Sequence, residues 1–575
     1  MRPSTQNSLS GRTSSRWIWR AAAALVTALM LVPVVAGVVG IVLPALGYFP
    51  VIGYELWGPE IILGLLAEPG FTRSVMVSAW TGLVATVLSL FLTVAILAAT
   101  FGTRALVVAE RLLAPILSVP HAAAALGLVF LFAPSGFILR LLSPWATGYE
   151  VPPDLLILRD PWGWSLVAAL VLKELPFLFL MALAAMPQVK ARERVMVARS
   201  LGYGRMGAFL HAVWPLLYRQ IRLPVLAVLA FSASVVDVAI ILGPNRPAPL
   251  SVRVVEWMGS PDLSAWATGS AGALAVLVLV LALIVLWLMV EVAGGRVAGQ
   301  ICLSGHRMRW ADGLRGVIVA VACVLALTMF LGFGGLIMQS VAGFWRFPDA
   351  WPSAFVWSAW GDRLPAALGT LSTTFVIALV ATVLSLVGAV VLLEADRRGG
   401  APVWILYLPL LVPQVAFLFG LNVLAIGAGV TPGLAIVALT HVIFTLPYAL
   451  IALRGPWRAL DARYEQVAGT LGAGPLRRFF GVRVPLMLLP LCVTAALCIA
   501  VSVGLYLPTL IVGAGRVETV TTEAVAASVG ADRRLIGFWA TFQLLIPAAA
   551  FALARWLPAM VYRDRRGVRA ARQPG

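Results

Sequence analysis

The sequence predicts an all-α polytopic membrane protein, with about 12 transmembrane helices arranged as two parallel six-helix repeats. Three observations carry that prediction. The 575 residues are 61% hydrophobic and only 11% charged, where soluble chains carry roughly a quarter charged residues. Apolar runs of roughly twenty residues recur throughout, long enough to cross a hydrocarbon core of about 30 Å. A basic, amphipathic stretch also occurs twice at identical internal spacing. A transmembrane β-barrel would instead show alternating segments of about ten residues, and none stand out.

The apolar runs place spans at 21–46, 73–99, 112–134, 164–187, 222–243 and 266–293 in the first half. In the second half they fall at 314–342, 366–393, 402–428, 433–454, 486–513 and 537–561. Residues 1–20 form a cytosolic tail, 21–293 the first repeat, 294–313 a cytosolic linker, 314–561 the second repeat and 562–575 a basic cytosolic tail. Arg2, Arg12, Arg16 and Arg20 precede the first apolar run without an acid among them. That run is too long for a signal-peptide core of about 7–15 residues, so it reads as an uncleaved span.

A formal charge of +18 raises the question of nucleic acid. The basic residues cluster instead in alternate inter-helix segments: Arg104 and Arg111, Lys190 to Arg219, Arg296 to Arg315, Arg397 and Arg398, Arg454 to Arg483, and Arg563 to Arg572. The intervening segments are mixed or acidic, with Glu55, Glu60 and Glu68, then Glu150, Asp154 and Asp160, then Arg516, Glu518, Glu523, Asp532 and Arg533. This is the positive-inside pattern, and it puts both termini in the cytosol. Cys302, Cys323, Cys492 and Cys498 lack C-x-x-C spacing, so neither a disulfide framework nor a zinc site is expected.

The halves repeat one another. Ala85-Thr86-Val87-Leu88-Ser89-Leu90 in the second span recurs letter for letter as Ala381 to Leu386 in the eighth. Val119-Pro120-His121 in the third span matches Val412-Pro413-Gln414 in the ninth, and Leu175-Pro176-Phe177 parallels Leu446-Pro447-Tyr448. An even number of spans per half gives both halves one orientation, as in parallel repeats about an axis along the membrane normal.

The duplicated cytosolic stretch lies between the fourth and fifth spans of each half, at 188–221 and 455–485. One copy runs Met196-Val197-Ala198-Arg199-Ser200-Leu201-Gly202 and ends at Pro215; the other runs Gln466-Val467-Ala468-Gly469-Thr470-Leu471-Gly472 and ends at Pro485. Gly202 to Pro215 and Gly472 to Pro485 are each 13 positions, and the copies are offset by 270. Glycine permits a left-handed turn there, and proline is at home where a helix re-enters the membrane. A short helix of this kind either rests on lipid or docks in a groove on a soluble partner. Its duplication favours docking.

The stretch resembles the EAA loop of ABC-importer permeases: Glu-Ala-Ala, three residues, Gly, nine residues, then Ile-x-Leu-Pro. Met196 and Gln466 stand where that family usually has Glu. The resemblance extends over nearly the whole chain and implies a fused-dimer permease of a type I ABC importer, similar to the thiamine and ferric-iron permeases. Leu505 to Gly515, Thr521 to Val525 and Asp532-Arg533-Arg534 look like an inner-membrane permease subfamily of unsettled substrate. The resemblance implies two copies of a cytosolic ATPase, a periplasmic substrate-binding protein, and residues from Met196 to Gly202 and Gln466 to Gly472 acting as coupling helices. It implies no cofactor in this chain, since ATP would be bound by the partner. The sequence agrees: its only two lysines, Lys173 and Lys190, neither follow Gly nor precede Ser or Thr, so no P-loop exists.

Ionisable residues inside spans are costly and default to functional roles. Lys173 and Glu174 fall in the fourth span, Asp237 in the fifth, His121 in the third and His441 in the tenth. Lys173 either neutralises Asp237 between spans four and five or lines the path, and the histidines are expected to bridge helices. By resemblance the fifth and eleventh spans line the cavity, offering Ser232, Ser234 and Asp237 on one side and Thr494, Ser502, Tyr506 and Thr509 on the other. Thiamine-like cations, ferric ion and polyamines all suit such a path as cargo. A twelve-span secondary transporter would also have two repeats, but would need midplane coupling-ion carboxylates and would leave the duplicated loop unexplained. No H-E-x-x-H or legible Ser/His/Asp grouping supports an enzyme.

Overall fold

The computed structural model describes residues 7–50, 53–55, 57–262, 264–303, 305, 307–397, 407–530 and 532–563. The first six residues, Arg398 and the basic tail beyond 563 lie outside the described residues. Among the described residues the chain is helical, broken only by two isolated β-bridges, Phe49–Tyr54 and Ala342–Phe355. Ten helices are long and apolar enough to cross a membrane: Trp17–Ala45, Phe71–Thr100, His121–Leu142, Trp164–Val189, Trp214–Ser234, Ser264–Val297, Arg309–Val341, Ser358–Arg397, Leu434–Ala459 and Arg533–Val561. Two shorter elements stand where the ninth and eleventh spans were expected. These are Gln414–Gly427, and Leu488–Gly504, which follows Pro475–Leu486 across a 73° bend.

Side chains such as Leu281, Val285 and Met289 in the sixth span and Phe375, Leu379 and Val383 in the eighth point outward and stay exposed. Lipid tails are as apolar as these side chains, so helices must associate through close packing of small residues instead. The tightest crossings lie between the repeats. A Cβ on Gly420 of the ninth span would overlap the Gly37 carbonyl of the first, so both positions must be glycine. The mirrored crossing joins Gly127 of the third span to Gly332 of the seventh, with a Cβ on Gly127 standing 3.2 Å from the Gly332 backbone. Each repeat therefore seats its first span on the third span of the other.

Four spans expected to be continuous are broken, at matched places. The third and ninth break before Pro120 and Pro413, where Val119 (φ −78, ψ 134) and Val412 (φ −83, ψ 127) are extended. Proline clashes with a helical residue before it, so the chain leaves the helix there. The fifth span ends at Ser234 and resumes as Asp237–Leu242; the eleventh ends at Gly504 and resumes as Leu507–Gly513. Non-helical backbone at membrane depth is tolerated only where it is buried in protein or lines a cavity.

The freed groups find partners from two short helices that the sequence reading had left within outside loops. Ser251 on Leu250–Met258 donates to the Val235 carbonyl at 2.8 Å. Thr521 on Val520–Val529 donates to the Val503 carbonyl. The starts of these helices are held in the same way, the Leu250 amide donating to Ser78 Oγ at 2.9 Å and the Val520 amide to Thr374 Oγ1 at 3.0 Å.

Candidate functional site

Each of the duplicated loops is a helix, a left-handed glycine and a second helix. In the first, Ala191–Ser200 turns at Gly202 (φ +86) into Arg205–Ala212. In the second, Arg463–Thr470 turns at Gly472 (φ +81) into Pro475–Arg478. Pro215 and Pro485 each lie within the first two residues of the next helix. Alanine and apolar positions divide the work. Ala198 is buried and Ala468 half-buried, facing the protein, while Gln466 is exposed. Met196, Val197 and Leu201 are exposed on one copy, as are Val467 and Leu471 on the other, Leu471 reaching 82%. A pair of apolar knobs at matched positions thus projects away from the membrane domain on each loop.

The sequence reading missed what holds these loops. Arg483, buried at the end of the second loop, pairs with Glu394 on the eighth span and with Glu465 on the helix Arg463–Thr470. Arg397 joins the same two carboxylates, at 3.1 Å from Glu394 and 3.3 Å from Glu465, and the Arg483 guanidinium lies 4.9 Å from the centre of the Trp457 ring. Glu465 sits one residue before the position where the family motif has its glutamate. That displaced acid was the available signal. The first loop is held by the linker, through Asp312.

The breaks in the spans converge with the buried ionisable residues. His121 is the first helical residue after the break in the third span, and its Nε2 lies 3.1 Å from Glu174 Oε1. Its ring packs tilted against Phe231, with the ring centres 4.7 Å apart. Asp237 is the first residue after the break in the fifth span, within electrostatic reach of His121 and of Tyr506. Tyr448 lies within electrostatic reach of Glu174, and its ring meets Phe177 at 6.5 Å, so the two Leu-Pro-aromatic copies face each other.

Lys173 does not neutralise Asp237. Its ammonium donates to the carbonyls of Ile116 (2.9 Å), Leu117 (3.5 Å) and Val119 at the severed end of the third span. The last carbonyls of a helix lack intrahelical donors and carry the negative end of its dipole, so the cation is spent locally. The second half reaches the same end without charge: His441 bonds Ser502 Oγ at 2.8 Å and Thr509 Oγ1 at 3.1 Å, joining the two pieces of the eleventh span. Ser234 bonds the Ala230 carbonyl of its own helix, Thr494 is buried, and buried Ser232 has no hydrogen-bond partner. Of the seven expected path residues, the structure thus gathers Asp237 and Tyr506 near His121 and Glu174, and commits Ser502 and Thr509 to His441.

At the far end of the same interface lies a cavity of about 710 Å³, lined from both repeats by Phe130, Arg140, Arg159, Trp345 and Arg533 among others. Three of its arginines are already engaged: Arg140 by the carbonyls of Ser135, Arg346 and Asp349, Arg159 by those of Ile240 and Ile241, and Arg533 by Ser135 Oγ. Among the described residues no group of three or more His, Cys, Asp or Glu could hold a metal ion.

No family model matches the sequence. Among known proteins, the inner membrane ABC transporter permease protein YnjC of Escherichia coli K12 is 29% identical over 456 residues, 79% of this chain and 82% of YnjC. The putrescine transport system permease protein PotI of the same organism is 29% identical over 154 residues, 23% of this chain and 54% of PotI. An alignment of 456 residues is longer than either half and must cross the linker. Its apolar elements form two interlocked repeats, and over most of its length the chain is similar to an inner membrane ABC transporter permease.

Proposed function

We propose that this chain forms the translocation path of an ABC importer and couples it to a separate cytosolic ATPase that binds the ATP. The observation that carries this reading is the matched pair of loops, each presenting exposed apolar knobs (Val197 and Leu201, Val467 and Leu471) beyond a left-handed glycine. An amphipathic helix offering such anchors fits a hydrophobic groove. Two loops call for two ATPase copies, with both termini on the same cytosolic side. The cargo is a small solute handed over by a periplasmic binding protein, of the thiamine-like cation, ferric ion or polyamine class. Its path runs between the repeats, past the helix breaks where His121, Glu174, Asp237, Tyr448 and Tyr506 gather. Similarity to PotI, named for putrescine, and the two midplane carboxylates both favour a cationic cargo.

The test is a pull-down of the tagged full chain, solubilised mildly from its native membrane, with and without the pair Val197→Glu and Val467→Glu. Both residues are exposed, so the fold should be untouched. A P-loop ATPase should come down with the unaltered chain and fall at least tenfold with the pair. If none comes down, or the pair retains it, the coupling reading fails and a secondary transporter takes its place.

A further inference from the structure

The two loops reach the same shape by different means. In the first, the linker lies across the turn. The Gly204 amide donates to the Arg307 carbonyl at 3.3 Å, and Arg309 Nε donates to the Gly202 carbonyl at 3.0 Å. The Asp312 carboxylate accepts from the amides of Arg205 and Met206 at 2.8 Å each. Those amides open the helix Arg205–Ala212, and the leading amides of a helix have no acceptor of their own. Gly204 before them has no side chain to serve as a cap. Asp312, more than a hundred positions downstream, supplies it instead.

Nothing equivalent covers the second loop among the described residues. Its second helix opens on Pro475, which has no amide hydrogen to cap, and a Cβ on Gly472 would meet no atom within 4 Å. That loop hangs from its own repeat through Arg483, Glu394 and Glu465. The linker also leaves Arg307, Arg309 and Trp310 exposed beside the first turn, Trp310 at 68%.

We infer that the linker presets the first coupling loop and forms part of its docking surface, so that the two ATPase positions are unequal by construction. Asp312 is the positioning residue of the first. The inference rests on the docking reading above. Two guanidiniums and an indole belong to the first position alone, and charges at the rim of an interface act on association and its salt dependence. The linker leads directly into the seventh span, Arg309–Val341. A shift of that span is therefore delivered to the first loop, whereas the second follows the eighth span through Glu394.

The test takes the purified full chain and compares amide hydrogen exchange in the unaltered protein, Asp312→Ala and Asp312→Asn. Loss of a helix cap should raise exchange across Arg205–Ala212 by about five- to tenfold in the alanine variant. Asparagine, which keeps one of the two acceptor oxygens, should restore part of the protection. Residues 463–486 should exchange as before in all three. Unchanged exchange at Arg205–Ala212, or an equal rise in both loops, overturns the clamp. A second arm places Leu201→Cys or Leu471→Cys in a chain whose native cysteines are alanine and cross-links each to the copurifying ATPase. Asp312→Ala should cut the Leu201→Cys product severalfold and spare the Leu471→Cys product; an equal effect on both, or none, overturns the inequality. Absence of any cross-link without Asp312→Ala sinks the docking reading itself, and the exchange result remains separate from it.

Discussion

Two residues close severed helices here, one by charge and one without. Lys173 satisfies the carbonyls left by the break in the third span; replacing it with methionine strands them in a buried site. We expect Lys173→Met to cost about 2 kcal/mol or more, read as a fall in thermal midpoint of the detergent-solubilised chain. Asp237→Asn is expected to stay within about 1 kcal/mol of the unaltered protein, because Asp237 makes no salt bridge among the described residues and the isosteric carboxamide removes only its charge at the helix start. A large loss there would revive the Lys173–Asp237 pair. His441→Leu removes both bonds that tie Ser502 to Thr509, and hydrogen bonds between membrane helices average only about 0.6 kcal/mol each. A modest loss of about 1 kcal/mol is expected, with His441→Gln between the two. The sequence identified every one of these residues as a candidate, since ionisable groups in apolar runs stand out. Their partners were not legible. Lys173 bonds to backbone carbonyls, and backbone carries no letter.

At the scale of the element, the sequence located the twelve apolar segments but read four of them as unbroken. The matching Val-Pro pairs at Val119-Pro120 and Val412-Pro413 held the information for two breaks, because a residue before proline is pushed out of the helix. The break at Val235 has no such mark, and that at Leu505 has only Pro508, which lacks the N–H that would bond the Gly504 carbonyl. They exist because hydroxyls on separate elements accept the loss, Ser251 in one repeat and Thr521 in the other. Thr521 has a second role: Gln543 Nε2 donates to its hydroxyl at 2.9 Å. Thr521→Val should therefore destabilise by about 1–2 kcal/mol more than Ser251→Ala, since it also leaves a buried amide without an acceptor. Equal losses in a denaturation series would show that Gln543 finds another partner. The helix Val520–Val529 looked like part of a solvent loop because of Glu518, Glu523 and Asp532, yet Val520, Thr521, Ala524 and Val525 are buried.

At the scale of the whole molecule, the internal duplication was legible from identical letters, but the interlocking of the two copies was not. A glycine at 37 or 420 reads as a tolerated flaw in an apolar helix until a second backbone is laid against it. Gly420→Leu should cost more than about 3 kcal/mol, because overpacking of one to a few methylenes already costs about 1–3 and here backbone is the obstacle. The same substitution at nearby Gly433, where a Cβ would meet no atom within 4 Å, should be silent; comparable yields of folded protein from both variants would refute the crossing. The reciprocal arrangement also bears on how the chain is made. Gly37 enters the membrane 383 residues before Gly420 is synthesised (420 − 37). At about 5–20 residues per second, that is roughly 20–80 s. Throughout that interval the first span stands with its glycine groove unfilled, packed at most on earlier neighbours such as the sixth span, and the membrane must keep that groove from any other partner until the ninth span arrives.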